Sequence, residues 1–91
     1  MSQRRNGRLK NGRLKKRLEI GRHLVRDPEI YHGELTFKGT RVPVRVVLAY
    51  AANGMSLSRI RRNWPEVSEE AVMEALNLAK EALVEKHQQA T

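Results

Sequence analysis

The segment Lys38-Gly39-Thr40-Arg41-Val42-Pro43-Val44 constrains this chain most, because its glycine and proline mark a passage from a strand into a helix. Gly39 ends extended structure, and Pro43 suits the start of a helix, where its missing N–H leaves no bond unmade. Upstream, residues 22–38 read as two short strands around a turn: Leu24-Val25 precedes Asp27-Pro28, and Leu35-Thr36-Phe37 follows Gly33. A hairpin of this size is marginal alone and needs helices or a second subunit packed against it.

Three helices are predicted downstream. The first spans about Pro43 to Ala52, with Val44, Val47, Leu48 and Ala51 in helical spacing, and stops at Asn53-Gly54. The second starts from Ser56 as N-cap, with Met55 and Ile60 placed for a hydrophobic staple, and ends near Trp64-Pro65. Ser68 caps the third, Val67 and Val72 form its staple, and Glu69 and Glu70 sit where the helix dipole favours acids. Val72, Ala75, Leu76, Ala79 and Leu83 line one apolar face. The fold class expected is mainly α: a short N-terminal β-hairpin followed by a three-helix bundle whose last two helices are helix-turn-helix-like.

With 91 residues, one Trp, one Phe and two Tyr, the chain supports a single small domain with a thin core, for which self-association is a natural remedy. It has no Cys, which removes disulfides and thiolate metal sites and fits a cytoplasmic location. No apolar run is long enough to span a membrane, and no apolar stretch follows the basic N-terminus as a signal peptide requires. The charge is uneven: residues 1–26 carry +9 and residues 27–91 carry −1, which together make the net +8. The division expected is therefore a flexible basic arm over 1–20 and one domain over 21–91. Within the arm, Asn6-Gly7-Arg8-Leu9-Lys10 is repeated as Asn11-Gly12-Arg13-Leu14-Lys15, and the two Asn-Gly pairs oppose a helix.

Asp27-Pro28-Glu29-Ile30, Gly33, Lys38-Gly39-Thr40-Arg41, Val42-Pro43-Val44, Gly54, Ser56 and Pro65, in this order and spacing, resemble a small bacterial family known as domain of unknown function 433. The resemblance covers roughly residues 22–84. One departure is Leu35, which stands where the family often has proline after a Gly-Lys pair, here Gly33-Glu34. The resemblance implies a homeodomain-like three-helix fold, often a homodimer. It also implies an antitoxin-like role, in which the protein binds and inhibits a PIN-like ribonuclease toxin and also binds operator DNA.

The residues themselves suggest where such contacts would lie. Arg4, Arg5, Arg8, Lys10, Arg13, Lys15, Lys16 and Arg17 form a cationic arm able to displace counterions from phosphates, or to fold into an acidic nuclease site. The plain alternative is a solubilising tail. If about six of these cations met phosphates, binding would carry a log–log salt slope near −5. Arg59 and Arg62 share a helix face suited to nucleic-acid backbone, beside Arg61, or else simply face solvent. Glu69, Glu70 and Glu74 open the third helix where a recognition helix would meet DNA, and are read as a solvated helix start. Arg41 is read first as an anchor tying the hairpin to the helices through Asp27 or Glu29, and alternatively as a partner contact.

Catalysis finds little support. His23, His32 and His87 are scattered, and Asp27, Glu29, His32 and Glu34 lack any recognised metal-ligand spacing. The expectation is a protein that is not an enzyme, with no cofactor and no metal. The second reading, of a different class, is a stand-alone nucleic-acid-binding protein that grips phosphate with its arm.

Overall fold

A computed structural model describes residues 15–88. Three short strands, β1 (Leu18–Ile20), β2 (Leu24–Arg26) and β3 (Leu35–Phe37), form an antiparallel sheet in the order β1-β2-β3. Helices α1 (Val44–Ala52), α2 (Leu57–Asn63) and α3 (Glu69–Gln88) follow, so the fold is mostly helical with an N-terminal sheet. The two strands expected from the sequence are β2 and β3. β1 adds a third from residues assigned to the arm, pairing Leu18 with Arg26 and Ile20 with Leu24. Gly21 allows that extra hairpin, since its φ of 63° is a left-handed backbone that side chains resist.

The helix signals act locally as their chemistry requires. The Ser56 hydroxyl accepts the Arg59 N–H at 3.2 Å, and the Ser68 hydroxyl accepts the Ala71 N–H at 3.1 Å. Pro43 is the N-cap of α1, and Asn53 closes its end with Gly54 at a φ of 96°. The residues expected as staples all join the core: Ile60, Val67 and Val72 are buried, and Met55 is half-buried against the same core.

The core lies between the sheet and the first turns of the helices, around Phe37, Leu24, Val47, Ile60, Val67 and Val72. α3 departs from expectation. Val72 and Ala75 are buried, but from Ala79 to His87 every side chain is exposed, Leu83 to 61%. The apolar face read along α3 is therefore used by the core only over its first half.

Among the described residues one buried side-chain group is left unsatisfied. The Thr36 hydroxyl, on β3 opposite Val25, is fully buried and has no hydrogen-bond partner. Its desolvation is uncompensated, so Thr36→Val, which keeps the shape and removes the hydroxyl, should stabilise the domain by about 1 kcal/mol. Thermal melts check this: a rise of about 4–8 °C in Tm is expected, and a fall would mean the hydroxyl has a partner.

Candidate functional site

The signature Lys38–Arg41 is a tight turn whose residues close one another. Gly39 takes a φ of 80°, the Thr40 hydroxyl donates to the Phe37 carbonyl at 2.8 Å, and it accepts the Val42 N–H at 3.0 Å. The Phe37 N–H then bonds the Val42 carbonyl at 3.1 Å, folding the chain back towards α1. Lys38 reaches Glu19 of β1 at 3.1 Å. Arg41 alone contributes no side-chain bond to this turn. It is exposed, and its guanidinium lies 6.0 Å from the centre of the Tyr31 ring.

Among the described residues Arg41 forms no ion pair with Asp27 or Glu29, the carboxylates expected to hold it. Asp27 instead accepts the Glu29 N–H at 2.8 Å and lies 3.8 Å from Arg17. What Arg41 covers instead is an unusual piece of backbone. Tyr31 and His32 both have left-handed φ, 49° and 56°, ahead of Gly33 at 92°. For residues with a Cβ this conformation costs roughly 1–2 kcal/mol each. It is held by Gly33 N–H on the Ile30 carbonyl at 3.0 Å, Glu34 N–H on the Tyr31 carbonyl at 3.2 Å, and Arg26 Nε on the Gly33 carbonyl at 2.6 Å. Despite that bracing, Tyr31 stays 49% exposed. Strain kept in place to present a side chain to solvent is a common mark of a functional surface.

The other predicted cations separate into used and unused groups. Arg59 and Arg62 are exposed on α2. Arg61 turns inward and donates to the Val67 carbonyl at 2.9 Å, bracing the turn between α2 and α3. Lys15 and Lys16 are exposed, whereas Arg17 pairs with Glu19 at 2.9 Å and so ties the arm's end to the sheet. Arg4, Arg5, Arg8, Lys10 and Arg13 lie outside the described residues.

Sequence reasoning missed the part played by Glu74. It is not a solvated acid: its carboxylate accepts the Arg22 and His23 N–H groups, both at 2.8 Å, and meets His23 Nδ1 at 3.0 Å. These contacts pin the β1–β2 turn to α3. The Arg22 N–H foremost, and then that of His23, hold the Glu74 carboxyl below its ordinary value of 4.5. Gly21 is needed here a second time, because a Cβ on it would overlap the Glu74 carboxylate. No sequence signal marked this contact, which joins residues 52 apart.

Among the described residues no group of three or more His, Cys, Asp or Glu side chains is arranged to hold a metal ion. An open cleft of about 180 Å³ beside the start of α3 is lined by charges of both signs, Arg22 and Lys38 against Glu66. No described helix is long and apolar enough to cross a membrane.

Comparison with known proteins finds no curated protein and no solved structure that matches this chain. A family model does match, over residues 24–79, from the first core residue of β2 through the buried half of α3. It takes in the Tyr31 turn, the Lys38–Arg41 turn and Glu74, and leaves out the arm and the projecting end of α3. This chain belongs to the family described as "Protein of unknown function (DUF433)".

Proposed function

We propose that this chain is an antitoxin-like partner protein that binds a PIN-like ribonuclease and keeps it inactive, with the Tyr31–Arg41 pair at the contact. The observation that supports this is the exposure of that pair beside a braced, strained turn: every other residue of the signature turn has a structural use, and Arg41 makes no hydrogen bond or ion pair among the described residues. Tyr and Arg are the residues most often found at energetic centres of protein interfaces. A guanidinium already set over a ring loses less freedom on meeting a carboxylate, and nucleases of this class carry acidic clusters. On this reading the protein needs no cofactor and performs no catalysis of its own.

A second reading is a stand-alone nucleic-acid-binding protein. Arg59 and Arg62, exposed together on α2 and paired with no carboxylate among the described residues, favour it. Glu69 and Glu70 count against it, because both are exposed at the start of the neighbouring helix, where phosphate would be repelled.

Co-expression with a nuclease encoded beside it, followed by copurification, tests the first reading. Arg41→Ala and Tyr31→Ala should each weaken the complex by about 30-fold, which is the usual hot-spot loss of about 2 kcal/mol. Arg41→Ala, at an exposed position, should leave stability within about 0.5 kcal/mol. A complex indifferent to both variants would remove this surface from the proposal. Recovery of nucleic acid alone, released by salt and reduced by Arg59→Ala with Arg62→Ala, would favour the second reading.

A further inference from the structure

The cleft beside the start of α3 is walled by elements far apart in sequence. Arg22 and His23 come from the turn between β1 and β2, Lys38 from the end of β3, and Glu66 from the turn between α2 and α3. Its bottom is apolar, made by Phe37, Val67 and Ala71 of the core. Lys38 and His23 are committed: Lys38 reaches Glu19 at 3.1 Å, and His23 meets Glu74 at 3.0 Å. Arg22 uses only its backbone N–H, on Glu74, and among the described residues its guanidinium has no hydrogen bond or ion pair. The Glu66 carboxylate has none among them either. The cleft thus holds an uncommitted cation and an uncommitted anion apart, above an apolar floor.

We infer that this cleft binds a free α-amino acid with a branched apolar side chain, such as leucine. A lone anion is drawn to Arg22 and repelled by Glu66, and a lone cation meets the reverse, so the complement of the pair is a ligand with both charges. The ligand's carboxylate takes the Arg22 guanidinium, whose fork matches it, and its ammonium takes Glu66. Its side chain lies on Phe37, Val67 and Ala71, away from water. Size selects within the class. The cleft, about 180 Å³, holds the equivalent of roughly six waters, well short of the roughly 300–1,000 Å³ of sites for larger ligands. A nucleotide does not fit such a space, whereas a single amino acid does. A residue inside a peptide carries neither charge, which leaves the free molecule. The inference is independent of the Tyr31–Arg41 contact, which shares no residue with this cleft.

Titration of leucine into the full, isotope-labelled chain, followed through its amide NMR signals, tests the inference. A ligand this small in an open site should bind with a Kd on the order of 1 mM. Saturable shifts should centre on Arg22, His23, Val67 and Ala71. N-acetylleucine, which lacks the ammonium, and leucinamide, which lacks the carboxylate, should each bind about tenfold more weakly. Glycine, with both charges and no side chain, should also bind more weakly. Arg22→Gln and Glu66→Gln, both at exposed positions, should each weaken leucine by about tenfold and leave the rest of the spectrum in place. Glu66→Gln should also erase the preference for leucine over N-acetylleucine, which a loss of structure alone does not do. No saturable shift up to about 20 mM leucine, well above the expected Kd, would overturn the inference. So would shifts centred outside the cleft, or equal binding of leucine, N-acetylleucine and leucinamide.

Discussion

Phe37→Ala should remove most of the domain's stability at 25 °C. Phe37 is the only phenylalanine of the chain and is 1% exposed, at the point where β3 turns back towards α1. Around it the core is built mainly from small side chains, among them Val42, Val44, Val47, Ala71 and Ala75, which cannot expand into the space of a ring. Truncating a buried phenylalanine costs about 3–5 kcal/mol, the removed transfer energy plus the cavity left behind. Small domains sit at the lower end of a total stability of about 5–15 kcal/mol, so this one change takes most of it. Its own backbone also closes the following turn, where its carbonyl takes the Thr40 N–H at 3.0 Å. Urea unfolding is the measurement. A midpoint no lower than that of an exposed substitution such as Arg59→Ala would mean that Phe37 is not the centre of the core.

Glu74→Gln should lower stability at neutral pH and remove part of the domain's sensitivity to acid. Because the folded-state value of Glu74 is depressed, its contribution is present above the ordinary carboxylate value of 4.5 and is lost as pH falls through the depressed value. The wild-type and Glu74→Gln curves should therefore differ at pH 7 and converge in acid. Gln keeps one acceptor oxygen but no charge, so two backbone donors and His23 cannot all be served as before. Gly21→Ala should act on the same contact from the other side. Its left-handed φ costs about 1–2 kcal/mol for a side chain, and the new Cβ displaces the carboxylate. Glu19, whose value is also lowered, chiefly by its hydrogen bond from Lys38, is about half exposed, so salt should screen its share and spare that of Glu74. Thermal melts from pH 7 to pH 3 at two salt concentrations separate the two; parallel curves for wild type and Glu74→Gln would sink the prediction.

What could be seen in the sequence follows the range of the interaction concerned. Ser56 and Ser68 cap helices through bonds to N–H groups three residues away, Asn53-Gly54 ends a helix within one turn, and the Lys38–Arg41 turn closes on Phe37 and Val42. Each is settled by neighbours along the chain, so spacing and residue type were enough to place it. Even the strand-to-helix order followed, because Gly39 and Pro43 act on their own backbone.

The tertiary structure alone decided the rest. Leu18–Ile20 became a strand because β2 offered it an edge, although the cations before it read as an arm. Arg61 turned inward to a carbonyl while Arg59 and Arg62, alike in composition, stayed outside. Arg41 found a ring in place of a carboxylate. Glu74 left the solvent to hold a turn more than fifty residues away. The physical reason is common to all four: a charged side chain is equally at home against water, a carbonyl, a ring or an opposite charge. Which of these it meets depends on where the packed core carries the other element, and residue spacing does not encode that.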